Sequence, residues 1–188
     1  MWRVLFLFSI LPIVAAAAAR WYFGLRVLAV EGGRPCRCDP SRWPSADAEL
    51  AEIPKSEESA HEFGRQLRDT ALSEWHQSDP KASASRQGSK RFGMAVPPLS
   101  AMIAIFALIV AKIPIMGAIT ILLASTAVSC AIGLLSIAPE LAAITRTAKR
   151  LRDSRSFPRR DDEDAVIRCA VAHVWTETLP PIISMIQR

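Results

Sequence analysis

Three uncharged apolar stretches constrain the fold of this 188-residue chain more than any other feature of its sequence. They cover residues 4–19, 92–111 and 113–139. A helix needs about 20 apolar residues to cross the hydrocarbon core of a bilayer, and the second and third stretches meet this length. The first is shorter, but Trp21 and Tyr22 suit the membrane interface and Arg20 can extend its side chain to the headgroups. We therefore predict an all-α integral membrane protein.

The sequence K-I-P-I-M-G, which begins at Lys112, separates the second and third stretches. A lysine is costly in lipid, Pro114 breaks a helix, and Gly117 permits a tight turn. One long kinked helix is the alternative, but it would be about twice as long as a bilayer core is thick. The sequence therefore predicts a transmembrane helical hairpin over residues 92–139.

Basic residues near the ends of these stretches predict how the chain is oriented. Lys90 and Arg91 precede the second stretch, and seven basic residues but one acidic residue lie between Arg146 and Arg160, after the third. The start of the second stretch and the end of the third are therefore expected in the cytoplasm. The N-terminus of the chain is expected outside. The run A-A-A-A-A-R at the end of the first stretch also resembles the cleavage site of a secretory signal peptide. Cleavage there is the alternative, and it would export the central region.

The basic run from Arg146 to Arg160 also bears on binding partners. It contains a single aromatic residue, Phe157, and no motif of a nucleic-acid-binding fold, so we expect no nucleic acid partner. Because it follows an apolar stretch directly, contact with the anionic headgroups of the lipid bilayer is the better interpretation.

The polar parts of the chain complete the predicted organisation. One helix is indicated by an apolar stripe at three- and four-residue steps, formed by Ala60, Phe63, Leu67, Ala71 and Trp75. In chain order the prediction is an N-terminal transmembrane helix (1–23), an irregular cytoplasmic loop (24–56), a cytoplasmic amphipathic helix (57–78), a linker (79–91), the hairpin (92–139), a basic juxtamembrane segment (140–160) and a C-terminal amphipathic helix (161–188) that packs on the hairpin or lies in the membrane interface.

The sequence Cys36-Arg37-Cys38 contains the only closely spaced cysteine pair. Two thiolates at this spacing can share a soft metal ion, and the cation of Arg37 would favour the thiolate form. A structural zinc site needs four ligands, however, and no second pair supplies the other two. Two reduced cysteines in a cytoplasmic turn are the alternative.

The sequence H-E-F-G-R, from His61 to Arg65, resembles the H-E-x-x-H motif of zinc peptidases except at its last position. In that motif two imidazoles one helical turn apart bind the metal, and the glutamate activates the bound water. Arg65 stands where the second histidine would be, and a guanidinium cannot ligate zinc. An exposed ion pair between Glu62 and Arg65 is the alternative interpretation of this segment.

A larger part of the chain resembles the neutral zinc metallopeptidases of bacterial membranes. In that family H-E-A-G-H is followed by a membrane hairpin and then by an E-F-D-A-S-x-R-A segment. Here H-E-F-G-R is followed by the predicted hairpin and then by E-L-A-A, which starts at Glu140, with Arg146 beyond it. The final segment from Asp162 to Ala172 is similar to the last helix of the family in its acidic start and its alanines.

The resemblance implies His61 and Glu140 as zinc ligands and Glu62 as the general base. It also implies the inner membrane of a bacterium as the location. Two departures change this expectation, because Arg65 replaces the second zinc histidine and Ala142 replaces the aspartate beside the third ligand. A shortened relative that has lost its peptidase chemistry, and with it any need for zinc, is what these departures imply.

Three hypotheses of function follow. The first is a non-catalytic integral membrane scaffold or interaction protein, whose partners are the lipid bilayer and another membrane protein or a second copy of the chain. The second is a membrane-bound zinc metallopeptidase with an atypical site formed by His61, Glu62 and Glu140. The third is a small metal-handling membrane protein that uses Cys36 and Cys38.

Overall fold

The structure, a computed structural model, describes residues 2–43, 55–110 and 113–176, with side chains from Leu5 onward. Within these residues the chain is mainly helical, with one short pair of strands. The helices are α1 (Trp2–Ala19), α2 (Arg26–Glu31), α3 (Ala60–Ser78), α4 (Pro80–Ile109), α5 (Ile115–Leu135), α6 (Ile137–Ser154) and α7 (Arg160–Thr176). A π-helical segment (Arg20–Leu25) joins α1 to α2, and strands β1 (Pro35–Arg37) and β2 (Glu57–Ser59) pair antiparallel.

Three helical segments are long and apolar enough to cross a membrane: Leu5–Glu31, Pro80–Ile109 and Ile115–Ser154. This confirms the expectation of a helical chain with three apolar segments of membrane-spanning length. The described residues divide into two compact units. We call residues 2–19 and 85–136 the apolar unit, and residues 20–84 and 137–176 the helical unit.

In the apolar unit, α4 and α5 form a hairpin. The predicted helix break at Pro114 is confirmed, because α4 ends at Ile109 and Pro114 is the residue that precedes α5. Ser100 and Ser125 are joined by a 2.6 Å hydrogen bond between their hydroxyl oxygens, and Arg86 donates to Ser136 nearer the other end of the pair. These two contacts show that the helices run in opposite directions.

The third helix of the apolar unit packs on this hairpin through small residues. Ala16 of α1 and Cys130 of α5 are both fully buried, with Ile13, Ala17 and Leu134 around them. Large apolar side chains point away from this core. The most exposed of them are Leu7, Phe8, Leu11, Met102, Phe106, Ile109, Ile115 and Leu135. An apolar surface of this extent is typical of helices that contact lipid or other membrane helices.

In the helical unit, α3 forms as the sequence predicts. Ser59 precedes the helix, and its hydroxyl accepts the N–H of Glu62 at 3.3 Å, which caps the first turn. All five residues of the predicted apolar stripe are buried. The stripe faces α6 and α7, which supply the other walls of this core.

The predicted linker over 79–91 is wrong, because α4 begins at Pro80 and continues without a break to Ile109. The carboxylate of Asp79 accepts the N–H of Ala82 at 3.0 Å, so Asp79 caps this helix. Proline is well suited to the first helical position, where its missing N–H costs nothing. The polar residues after it therefore extend α4 instead of forming a loop.

The predicted irregular loop over 24–56 also contains regular structure. Helix continues to Glu31, and β1 pairs with β2 so that Cys36 lies opposite Glu58. The aromatic ring of Phe23 packs on that of Trp175 in α7, with centroids 5.1 Å apart, which gives this part of the helix a tertiary partner. Residues 44–54 of the predicted loop lie outside the described residues.

The two C-terminal segments also differ from the prediction. Residues 137–154, which include most of the predicted basic segment, form the helix α6. One face of this helix is buried and includes Ile144 and Leu151. Its basic residues therefore occupy the outer face of a packed helix. The final helix, α7, packs along α3 within the helical unit. Residues 177–188 lie outside the described residues.

Candidate functional site

His61 lies in the first turn of α3, where its side chain is exposed. Its imidazole packs edge to face on that of His173 in α7, with ring centroids 4.6 Å apart. The Nε2 atom of His173 is also 3.2 Å from the carbonyl oxygen of His61. The backbone N–H of His61 donates to the carbonyl oxygen of Gly32 at 3.0 Å, which fixes the start of the helix. The neighbour of His61 across the helix interface is thus another histidine, which the sequence did not indicate.

Glu62 forms an ion pair with Arg65, one turn further along α3. This agrees with the alternative interpretation of the H-E-F-G-R segment. The hydrogen bond from Arg65 holds the pKa of Glu62 below its ordinary value; burial opposes this effect, and the charge of Arg65 adds to it. A general base works best when its pKa is near the operating pH. The geometry therefore makes Glu62 a weaker base than a free glutamate.

Glu140, in the first turn of α6, has a side chain with no exposed surface. Its Oε1 atom accepts two hydrogen bonds from Arg68 of α3, at 3.1 Å from Nε and 2.8 Å from Nη2. Arg68 is itself buried, with 8% of its surface exposed. The two residues form a charge-assisted ion pair that links α3 to α6 inside the helical unit.

The pair with Arg68 also separates Glu140 from His61. Arg68 lies seven positions after His61 in α3, which is a rise of about 10 Å along the helix axis. Both ligands of one zinc ion lie about 2 Å from the metal, so they must be close neighbours. Among the described residues, no three His, Cys, Asp or Glu side chains are grouped closely enough to hold a metal ion.

The two cysteines of the C-R-C sequence are buried and carry free thiols. Burial raises the pKa of Cys36 to about 11 and that of Cys38 to about 12. The expectation that Arg37 favours the thiolate is therefore wrong. Successive side chains of a strand point to opposite faces, so Arg37 lies on the exposed face, where it contacts Glu57 at 3.5 Å.

Two residues that matter for this region were missed in the sequence. Arg68 is one of them. Its position directly after Leu67 of the apolar stripe is a sequence signal for a buried charge, and the structure shows that Arg68 is buried. Gly64 is the other. A Cβ atom added to Gly64 would lie 2.7 Å from the Cβ of Cys169 and 2.9 Å from the N of Ala170. The glycine of H-E-F-G-R therefore has a packing role, since it allows α3 and α7 to approach closely.

Comparison of the chain with protein-family models, with curated protein sequences and with solved structures found no match. The class of protein is thus defined by the fold alone: a helical protein with three segments that can cross a membrane. The resemblance to the zinc metallopeptidases rests on the residues quoted above.

Proposed function

We propose that this protein is a non-catalytic integral membrane scaffold, derived from the same ancestry as the neutral zinc metallopeptidases of bacterial membranes. The observation that carries the proposal is the buried ion pair between Arg68 and Glu140. Glu140 occupies the position at which the resemblance implies a zinc ligand. In this chain its negative charge is compensated by a guanidinium group of the protein.

The electrostatics of the site support this proposal. A buried carboxylate requires a compensating cation, and a guanidinium remains charged at all physiological pH values. Arg68 supplies that cation permanently, so Glu140 needs no metal ion. Arg65, at the position of the second histidine, compensates Glu62 in the same way. Both carboxylates that a peptidase mechanism would use are thus engaged in ion pairs.

The scaffold would contact the bilayer, and another membrane protein or a second copy of the chain, through the exposed apolar side chains of α1, α4 and α5. We place it in the inner membrane of a bacterium, with the N-terminus outside and the C-terminus in the cytoplasm. Seven basic residues between Arg146 and Arg160 support this orientation. Alkaline phosphatase fused after Arg188 should be inactive in cells, and a fluorescent protein fused there should fluoresce. The opposite pair of results would refute the orientation.

The absence of peptidase activity can be tested without knowledge of a substrate. Three host strains are compared: one carries the wild-type chain, one carries Glu62→Gln, and one carries no copy of the gene. The N-terminal peptides of all membrane proteins in each strain are identified by mass spectrometry. If the protein is a scaffold, we expect the wild-type and Glu62→Gln strains to share every cleavage site. A cleavage present only with the wild-type chain would support the zinc peptidase hypothesis instead.

Metal handling by the cysteine pair has a separate test. The thiolate is the metal-binding form, and burial keeps Cys36 and Cys38 protonated. We therefore expect the same metal content in purified wild-type protein and in Cys36→Ser. Loss of a bound metal from Cys36→Ser, with no effect of Glu62→Gln, would support the metal-handling hypothesis.

A further inference from the structure

A basic cleft lies in the helical unit where the chain passes from α6 to α7. Its volume is about 420 Å³, within the range of about 300–1,000 Å³ that is usual for small-molecule sites. We define the cleft by the residues that line it: Arg42, Arg152, Arg155, Phe157, Pro158, Arg160 and Glu163. Four of these seven residues are arginines.

The positive charge of the cleft is only partly compensated. Arg152 contacts Glu163 at 2.6 Å and Asp164 at 2.9 Å, so its charge is balanced within the protein. Arg42 has a partner in Asp39, at 3.3 Å. The remaining arginines, Arg155 and Arg160, have no carboxylate partner within the part of the chain that the structure describes. The cleft therefore has two guanidinium groups available to a ligand.

The backbone around the cleft is held in place before any ligand binds. The hydroxyl of Ser156 donates to the carbonyl oxygen of Arg42 at 2.6 Å, and the N–H of Asp39 donates to the carbonyl oxygen of Ser156 at 2.8 Å. Phe157 packs on the buried ring of Trp43, with centroids 6.2 Å apart. These contacts tie the connection between α6 and α7 to the segment that contains Arg42.

Arg155 has a left-handed backbone conformation that normally favours glycine. Its φ angle is 52°, and no other non-glycine residue among those described has a positive φ. The position directly follows α6, where glycine is the residue that most often ends a helix in this left-handed conformation. An arginine at this position gives up backbone stability and places a guanidinium at the cleft.

We propose that this cleft binds a phosphate group, presented either by a lipid headgroup or by a soluble phosphorylated compound. Guanidinium groups recognise phosphate through two parallel N–H bonds, and several arginines around one cavity can bind its oxygens from different sides. The proposal does not depend on whether the chain is catalytic, because the cleft shares no residue with His61, Glu62 or Glu140.

The test uses the full chain in a zwitterionic detergent, with binding followed by isothermal titration calorimetry. The probes are inorganic phosphate and dioctanoyl phosphatidic acid, and a glutamate pentapeptide serves as an anion without phosphate. The cleft variant is Arg155→Gln with Arg160→Gln. The matched control is Arg146→Gln with Lys149→Gln, which removes the same charge from exposed positions outside the cleft.

We expect the cleft variant to lose at least about tenfold in affinity for a phosphate probe, since hydrogen bonds between charged groups are the strong ones, while the control stays within about twofold. Binding of inorganic phosphate would assign a soluble ligand, and binding of the phosphatidic acid alone would assign a headgroup. The proposal is overturned if neither probe binds, if both double variants lose affinity equally, or if the pentapeptide binds as tightly as the phosphate probes.

A second variant separates lost binding from lost folding. Arg155→Gly removes one guanidinium and at the same time provides the residue best suited to the left-handed backbone. We expect its melting temperature to equal or exceed that of the wild-type chain, with weaker binding of the phosphate probe. Unchanged affinity in this folded variant would also overturn the proposal.

Discussion

Replacement of Arg68 by methionine should destabilise the helical unit strongly, because it removes the cation that compensates a fully buried carboxylate. Two opposite charges at about 4 Å interact with about 4 kcal/mol at the effective dielectric constant of a protein. Measured losses agree, since removal of one partner from a buried pair costs about 3–5 kcal/mol. Glu140 has no exposed surface and receives two hydrogen bonds from Arg68, so the full range applies.

The double variant Arg68→Met with Glu140→Leu distinguishes the ion pair from simple packing. When both charges of a buried pair are replaced by apolar side chains, stability is usually retained or increased. We therefore expect the double variant to recover most of the stability that Arg68→Met loses. Arg65→Met is the matched control, because it removes a cation one turn away whose side chain is half exposed, and it should cost less than about 1 kcal/mol.

Stability can be followed by the fluorescence of the full chain in detergent during urea denaturation. Trp43 and Trp75 are both buried in the helical unit, so their emission should shift to longer wavelength when it unfolds. A loss for Arg68→Met no larger than that for Arg65→Met would refute the reasoning. So would a double variant that is less stable than Arg68→Met alone, since the two charges would then not compensate each other.

Two further predictions concern the packing of the helical unit. Gly64→Ala should reduce stability by about 1–3 kcal/mol or more, because the added Cβ would lie 2.7 Å from the Cβ of Cys169. The control is Gly88→Ala in α4, where an added Cβ would meet no atom within 4 Å, and it should cost no stability. Equal melting temperatures for the two variants would contradict this prediction. Maleimide should label Cys38 slowly at pH 7.5 in the folded chain and rapidly in urea, because burial raises its pKa to about 12 and the protonated thiol is unreactive. The contribution of this raised pKa to the stability of the fold is present in full below pH 9.0, the ordinary pKa of a thiol. It is lost as the pH rises from 9.0 towards 12. Rapid stoichiometric labelling of the folded chain at pH 7.5 would contradict the assignment.

The parts of the fold that the sequence predicted depend on local patterns. The apolar stripe of α3, its cap at Ser59 and the break at Pro114 are each encoded within a few residues, by helical periodicity or by backbone chemistry. The start of α4 was equally local, since Asp79 and Pro80 form a standard helix start. The small and polar residues that follow Pro80 are typical of a linker, so composition predicts a loop where the capping signal predicts a helix.

The candidate site depended on contacts that no local pattern contains. Arg68 and Glu140 are 72 residues apart in the chain, so their pairing follows only from the packing of α3 on α6. The contact of His61 with His173 has the same origin, because it joins α3 to α7. The raised pKa of Cys36 reflects burial that β1 acquires only by pairing with β2 and facing the core.

We assign Glu140 as a structural partner of Arg68 and not as a zinc ligand, and the metal content of the purified protein is the most direct test of this assignment. Zinc would be measured per chain by inductively coupled plasma mass spectrometry in detergent-purified wild-type protein and in His61→Ala. We expect zinc at background level in both samples. About one zinc ion per wild-type chain, lost in His61→Ala, would refute the assignment of Glu140 and would show that His61 belongs to a metal site despite Arg65.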